Sequence, residues 1–282
     1  MSCPDCFNGA IHSGTPRGQV TKLHGLDTYV TNPTNDDPVK GIIVVIPDAF
    51  GWEFVNIRLL ADNYAEKGQY TVYVPEFMDG HAAPVWAIDL PRYVFRTGNL
   101  YDWIVKPYYV MKMLYGLGPF AFYNTVGRSW PRVESFFAGV RSDEGSKLPI
   151  GAVGFCWGGK HTMLLAHGYT TADGKQPLID AGFTAHPSML AIPGDIEKVT
   201  KPVSVAIGDN DFNVKMPDVE KMRNILESKA GAACGEVKIF HGAGHGFAVR
   251  ADHVLEDSAR QATEAEEQAL DWFRRQFSTV SY

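Results

Sequence analysis

Hydrophobic residues recur along the chain in two alternating patterns, short β-branched runs and longer amphipathic segments. The run 41–46 is continuously apolar, which is typical of a strand buried on both faces. In 54–67 the apolar positions repeat at the spacing of one helical face. The same alternation predicts further strands at 71–75, 150–155, 179–184, 202–207 and 236–240, and further helices at 157–167, 216–229 and 252–277.

This order of strands and helices predicts a mostly parallel central sheet with helices on both faces. The length of 282 residues would allow two small domains or one large one. No linker, internal repeat or low-complexity segment interrupts the alternation. We therefore expect residues 1–282 to form one α/β domain.

One stretch, residues 80–137, departs from the alternation. It contains no clear strand, but it holds 14 of the chain's 34 aromatic residues and six Lys or Arg against three Asp or Glu. Long insertions in a compact domain are commonly helical segments, lids or binding elements. Two compatible interpretations stay open: a helical insertion that packs its aromatic side chains on the sheet, and a lid that forms a substrate pocket.

Composition narrows the class of protein further. The chain is 45% hydrophobic and 21% charged, with a formal net charge of −6, so it lacks the basic footprint of a nucleic-acid-binding protein. Its N-terminus lacks the features of a signal peptide, and no apolar run approaches the ~20 residues that span a bilayer. Four cysteines are too few for a disulfide-built scaffold. We expect a cytoplasmic protein with a small-molecule substrate and no membrane partner; the oligomeric state stays open.

The strongest chemical signal is G-F-C-W-G-G at 154–159, between a predicted strand and a predicted helix. A nucleophile in such a tight turn needs glycine neighbours, because side chains there would collide with the adjoining strand and helix. The turn puts Cys156 at a helix N-terminus, where free N–H groups and the helix dipole stabilise a thiolate and later an oxyanion. The structural alternative is a buried, unreactive cysteine.

A nucleophilic cysteine needs a base and an orienting acid, which follow it in the order acid, then base in folds with this turn. Asp211 lies in a G-D-N-D-F loop after one late predicted strand, and His245 lies in a G-A-G-H-G-F loop after the next. Asp209 is the neighbouring carboxylate, but its position suits it to bracing the turn. We predict Cys156, Asp211 and His245 as nucleophile, acid and base.

Together with I-P-D-A-F-G-W at 46–52, these motifs resemble the dienelactone hydrolase family, in particular its fungal dienelactone-hydrolase-like branch, over roughly residues 39–277. The resemblance implies an α/β-hydrolase fold and a Cys156–His245–Asp211 triad. It implies carboxymethylenebutenolidase-like hydrolysis of a lactone or ester. It also implies that no metal or organic cofactor is needed.

The resemblance also implies roles around the nucleophile. The backbone N–H groups of Ala49 and Trp157 would form the oxyanion hole. In the family an acid at the position of Asp48, usually a glutamate, is thought to accept the proton of the resting thiol when substrate binds. Asp48 is one methylene shorter, and capping of the following loop is the alternative.

The sequence indicates the substrate-binding residues less specifically than it indicates the triad. The family's substrate clamp includes an arginine shortly after the catalytic histidine, and Arg250 stands one position away from that place. The further candidates are aromatic, basic or histidine side chains expected near the site: Phe50, Trp52, Trp86, Arg92, Tyr93, Arg96, His186 and Phe247. These departures from the family leave the identity of the substrate open, including whether dienelactone is accepted.

Two other functions stay open. The aromatic insertion would suit a fungal polyketide-pathway enzyme acting as a thioesterase, a lactonase or a cyclisation catalyst on an aromatic substrate. A thiol redox or sensor protein would use Cys156 as its reactive thiol and Cys3 with Cys6 as a redox pair. The presence of Asp211 and His245 disfavours the sensor, because a sensor needs only a thiol of low pKa.

Overall fold

The computed structural model describes residues 10–95 and 100–282. Its strands are β1 (Gln19–Leu23), β2 (Leu26–Thr31), β3 (Ile42–Ile46), β4 (Thr71–Pro75), β5 (Ile150–Phe155), β6 (Ala181–Ala185), β7 (Val203–Gly208) and β8 (Gly235–Phe240). All eight lie in one sheet in the order β1-β2-β4-β3-β5-β6-β7-β8. Strands β3 to β8 run parallel, and the hairpin β1–β2 joins antiparallel to β4. The parallel core expected from the alternation is confirmed.

Helices cover both faces of this sheet. They are α1 (Val55–Gly68), α2 (Leu90–Phe95), α3 (Leu100–Tyr123), α4 (Val126–Ser142), α5 (Trp157–Leu165), α6 (Gly194–Glu197), α7 (Met216–Ser228) and α8 (Glu256–Phe277). Because side chains alternate along a strand, Ile43 and Val45 pack with α1 and α8. Ile42, Val44 and Ile46 pack instead with α4, α5 and α7. The continuous apolar run of β3 therefore supplies both cores.

Two features differ from the sequence prediction. The hairpin β1–β2 was not predicted, since the side chains of β1 are mostly exposed and leave little apolar pattern. Its tight turn needs left-handed backbone at His24 and Gly25, with φ of 46° and 85°. The predicted start of the last helix at 252 is wrong, because Asp252 holds a turn: its carboxylate accepts a 2.9 Å hydrogen bond from the Val254 N–H.

The described part of the segment 80–137 is mostly helical, with a short 3-10 turn at Val85–Ala87, then α2, α3 and most of α4. Helix α4 buries Phe136 and Phe137 in the core, as the packing interpretation expects. Helix α3 leaves a row of large apolar side chains exposed. Among the described helices, none is long and apolar enough to cross a membrane. The cytoplasmic location stays a prediction.

Candidate active site

Cys156 lies in a strained turn between β5 and α5. Its φ of 51° is in the left-handed region, which non-glycine residues adopt rarely and mostly where the surroundings impose it. A Cβ at Gly158 would overlap the carbonyl oxygen of Ile46, and one at Gly154 would overlap the carbonyl oxygen of Gly158. Close backbone contacts therefore require glycine at these two positions. Cys156 immediately precedes α5, so it lies at the N-terminus of that helix.

The loops after β7 and β8 bring a buried carboxylate and a buried imidazole together. The Nδ1 of His245 donates a hydrogen bond of 2.9 Å to Oδ2 of Asp211. The other oxygen of Asp211 accepts one of 2.7 Å from the Asn213 N–H. Both Asp211 and His245 are almost completely buried. The pair is thus held in one orientation, with Nδ1 committed to the acid.

Asp209 does what its position in the sequence predicts. Its carboxylate accepts a 2.8 Å hydrogen bond from the Gly242 N–H and lies 3.0 Å from Nδ1 of His241. Both partners belong to the loop that carries His245. Asp209 therefore braces the histidine loop, whereas Asp211 contacts the histidine itself.

The thiol of Cys156 and the imidazole of His245 are close enough for each to shift the pKa of the other. Burial alone would raise the pKa of Cys156, but the interactions with His245 and the charge on Arg250 together outweigh it, and the pKa of the thiol falls below its usual value. Burial would likewise lower the pKa of His245, yet the charges of Cys156 and Asp211 raise it to about 10. Both directions favour a thiolate–imidazolium pair at neutral pH.

Ser188 and Asn213 contact this pair and were not predicted. The Sγ of Cys156 lies 3.7 Å from the hydroxyl oxygen of Ser188. The backbone N–H of Ser188 donates a 2.9 Å hydrogen bond to the Cys156 carbonyl. The side-chain nitrogen of Asn213 lies 3.2 Å from Nδ1 of His245. Both residues follow carboxyl ends of parallel strands, where ligands of open α/β sheets gather, and this placement was the available signal.

Asp48 is buried after β3 and faces Arg250. Its Oδ1 accepts a 3.1 Å hydrogen bond from the Phe50 N–H, so it caps the loop as the alternative interpretation expected. Its Oδ2 lies 3.7 Å from Nε of Arg250, and neither atom has a hydrogen-bond partner among the described groups. Burial raises the pKa of Asp48, opposed by Arg250, the Phe50 N–H and His245. The site therefore holds a second carboxylate beside an arginine.

The two N–H groups expected to form an oxyanion hole come from neighbouring strands. Trp157 is the first residue of α5, so no carbonyl within the helix takes its N–H. Ala49 follows β3, which pairs with β5 up to Ile46 opposite Gly154. The Ala49 carbonyl accepts a 2.7 Å hydrogen bond from the Ala83 N–H, which fixes this loop.

His186 is enclosed beside the catalytic candidates. It is completely buried, its ring centroid lies 5.0 Å from that of His245, and neither of its ring nitrogens has a hydrogen-bond partner among the described groups. Burial, with the nearby charges of His245 and Arg250, lowers its pKa well below the usual value. His186 is therefore a neutral imidazole against the ring of His245.

The other candidates for substrate contact divide into two groups. Phe247 and Arg250 line a cavity of about 840 Å³ that also reaches His245 and Asp89; Cys156 is not among its described lining residues. Phe50 lies under the guanidinium of Arg250, at 5.4 Å.

The remaining candidates lie away from this cavity or outside what is described. Trp52 packs against Arg58 at 4.8 Å. Trp86 and Tyr93 stack on Tyr115 and Tyr109 of α3. The side chain of Arg92, all of Arg96, and Cys3 and Cys6 lie outside the described residues.

Within 10–95 and 100–282, one group of side chains has donor atoms close enough to share a metal ion: His24, Asp143 and Glu144. This group lies at the surface, and Nε2 of His24 already contacts the Glu144 carboxylate at 2.9 Å. An ordinary ion pair accounts for it. None of its members belongs to the cysteine site.

Comparison with known proteins identifies the family. The sequence profile of the Dienelactone hydrolase family matches residues 26–277. The chain is 28% identical to the hydrolase tropI of Talaromyces stipitatus, over 97% of this chain and 95% of that protein. It is 26% identical to a carboxymethylenebutenolidase homolog of Rattus norvegicus, over 83% and 80% of the two chains. The chain belongs to the dienelactone hydrolase family, as its motifs predicted.

The fold agrees with this assignment. A solved dienelactone hydrolase from Anabaena variabilis superimposes with a TM-score of 0.55 at 12% identity, covering 94% of this chain and 99% of that one. At this identity the likeness concerns the fold alone, which is that of an α/β-hydrolase. Family and fold together make the chain a lactone or ester hydrolase.

Proposed function

We propose that the chain hydrolyses a lactone or ester through a covalent thioester on Cys156, with His245 as acid and base and Asp211 as its orienting acid. The observation that carries the proposal is the meeting of three loops. A strained turn presents the cysteine at a helix N-terminus, and a buried histidine is hydrogen-bonded to a buried carboxylate and lowers the pKa of the thiol. A structural cysteine needs neither partner.

The first half of the reaction forms the thioester. The thiolate of Cys156 attacks the carbonyl carbon, and the N–H groups of Ala49 and Trp157 stabilise the negative oxygen. The carbon–oxygen bond then breaks, and the imidazolium of His245 gives its proton to the leaving oxygen. An enolate leaves more readily than an ordinary alkoxide, which favours enol-lactones and activated esters.

The second half releases the acid. His245, now neutral, takes a proton from water as the water attacks the thioester carbonyl. The intermediate expels the Cys156 thiolate and restores the thiolate–imidazolium pair. Asp211 stays ionised throughout, because its hydrogen bond to Nδ1 holds the imidazole and stabilises its charged form.

Arg250 is the group we assign to a substrate carboxylate. Its Nε has no hydrogen-bond partner among the described groups, and its side chain lines the cavity that reaches His245. Asp48 compensates its charge in the absence of substrate. A substrate carboxylate would compete with Asp48 for Arg250.

A second candidate function is hydrolysis or cyclisation in a fungal pathway on an aromatic substrate. It is favoured by the match along nearly the whole chain to hydrolase tropI and to hydrolase pyvD of Aspergillus violaceofuscus, the latter 27% identical over 96% of this chain and 95% of that protein. The described aromatic candidates of the insertion give it less support, because Trp86 and Tyr93 stack on α3 instead of lining the cavity.

The proposal is tested by turnover before and after alkylation with iodoacetamide, using p-nitrophenyl acetate, an enol-lactone and an aryl thioester in parallel. We expect steady turnover of the ester and the lactone, and its loss in proportion to alkylation of Cys156. A redox or sensor protein would be alkylated without having turned any of the three over. Preference for the thioester would favour the second candidate.

A further inference from the structure

The outward face of α3 carries a continuous row of large uncharged side chains. Six of them are between 60% and 79% exposed and recur at helical spacing, so they share one face: Tyr101, Ile104, Tyr108, Met111, Tyr115 and Phe122. We call this row the α3 stripe. Single exposed apolar residues are common on proteins, whereas a contiguous row of this size marks a contact surface.

The fold itself uses the opposite side of α3. Tyr109 stacks on Tyr93 of α2 at 4.5 Å, and Gly116 lies against the ring of Trp86. Phe120 contacts Trp157, the residue after the nucleophile, with ring centroids 6.4 Å apart. Within the stripe, Tyr115 stacks on Trp86 at one edge, and the members stay 60% or more exposed, so the described residues leave most of the stripe uncovered.

The size of the stripe matches half of a protein dimer. A fully buried aromatic side chain covers roughly 150–250 Å², so the exposed parts of these six side chains amount to roughly 700 Å². Trp103 and Leu114, both exposed on the flank of the same helix, add to this area. A stable interface of standard size buries about 800 Å² on each partner, and homodimer interfaces are the more apolar ones.

The stripe is also complementary to itself. Its ends, Tyr101 and Phe122, are equally far from its middle at Met111, to within one residue. If two copies of α3 lie antiparallel, Met111 meets its own counterpart, Tyr108 meets Tyr115 of the other copy, and Tyr101 meets Phe122. A two-fold axis near Met111 therefore places stripe residues opposite each other in the middle and at both ends, whereas Ile104 faces the Gly118–Pro119 part of the other copy.

The charges near the stripe fit a protein partner better than a lipid surface. Lys106 lies over Trp103 at 4.5 Å, and Lys112 lies over Trp86 at 5.2 Å, so both lysines already contact aromatic rings of their own chain. Attraction to an anionic membrane is worth about 1 kcal/mol for each basic residue near the surface. Arg128 lies over Phe122 of the stripe at 4.4 Å. Three such residues on a chain of net charge −6 provide little attraction.

We propose that the α3 stripe binds the same stripe of a second copy of this chain, antiparallel, about a two-fold axis at Met111. The dimer joins the two insertions and leaves each catalytic site in its own chain. Because Phe120 anchors the inner side of α3 against Trp157, the interface would also hold this segment in place beside the nucleophile.

Cross-linking tests the axis directly. Met111→Cys places a thiol opposite its own counterpart, so mild oxidation should convert most of the purified protein into a disulfide-linked dimer. Val254→Cys, at a 91% exposed position on another surface, serves as the matched control, and the parent protein gives the background of the native cysteines. Equal cross-linking of Met111→Cys and the control would overturn the proposal.

Solution mass tests the interface independently. Light scattering after gel filtration should give the mass of a dimer for the parent protein and of a monomer for Tyr108→Glu, with unchanged circular dichroism and esterase activity per site on a small ester. A monomeric parent protein, or a dimer that persists in Tyr108→Glu, contradicts the proposal. A monomeric parent that floats with phosphatidylcholine–phosphatidylserine vesicles would assign the stripe to lipid instead.

Discussion

The loops around Cys156 and the outward face of α3 belong to one chain but differ in how far the chain's own residues contact their side chains. At the cysteine site, both oxygens of Asp211 have partners, His245 is hydrogen-bonded to the acid, and both residues are buried. Along α3, large aromatic side chains are exposed. The first region is completed by its own chain, whereas the second lacks a partner within the described residues.

The two regions differ in what determines their structure. Backbone contacts at Gly154 and Gly158 leave no room for any side chain, so the turn at Cys156 is set locally. The exposed apolar side chains of α3 form a surface that the described residues leave largely uncovered. Substitutions at the site should therefore change chemistry or folding sharply.

The largest effect is expected for Cys156→Ala. Loss of the nucleophile should lower kcat for ester hydrolysis by at least ~10³-fold, because a nucleophile's partners cannot replace it. The matched control is Cys234→Ala, the other free cysteine in the described part of the chain. Steady-state kinetics with p-nitrophenyl acetate measure kcat for both variants. Equal losses of kcat would contradict the assignment of Cys156 as the nucleophile.

The next largest effect should separate the two neighbouring acids. Asp211→Asn should lower kcat by about 10²–10⁴-fold, because an amide no longer holds the charged imidazole. Asp209→Asn removes only the brace of the histidine loop and should cost less than about tenfold. Comparison of kcat for the two variants decides the assignment. A greater loss in Asp209→Asn would reverse it.

Much of this site could be predicted from the sequence, because each motif encodes a local backbone requirement. The glycines around Cys156, the loop of Asp211 and the loop of His245 each follow a strand with a strong apolar pattern. The contacts of Ser188 and Asn213 could not be predicted, since they depend on how neighbouring strand ends align. The hairpin β1–β2 was missed because its exposed side chains leave little apolar pattern. The exposed face of α3 was missed because helical spacing of apolar residues does not tell whether that face packs on the sheet or faces solvent.

A smaller effect, on stability, should follow from Gly158→Ala. The added methyl group meets backbone atoms that cannot rotate away, so the free energy of unfolding should fall by about 2 kcal/mol or more. At Gly127 in α4 an added methyl group meets nothing within 4 Å, so Gly127→Ala should raise the free energy of unfolding by less than about 1 kcal/mol. Urea denaturation of both variants measures their free energies of unfolding, and equal values would contradict the prediction.

The smallest effect concerns the thiol itself. Because the pKa of Cys156 is lowered, its alkylation by iodoacetamide should stay fast at pH values below the usual thiol pKa of about 8.5. Ser188→Ala removes a hydroxyl 3.7 Å from Sγ and should move the alkylation midpoint upwards by about one unit or less. A downward shift would show that Ser188 does not stabilise the thiolate.

The central claim is that the acyl group passes through Cys156. It is tested most directly by mixing the protein with p-nitrophenyl acetate, quenching with acid during the first turnover, and mapping the acetyl group by peptide mass spectrometry. The proposed mechanism predicts one acetyl group on the peptide that carries Cys156, as a thioester that hydroxylamine removes and that disappears on longer incubation. A transient acetyl group on any other residue, with Cys156 unmodified throughout turnover, would contradict it.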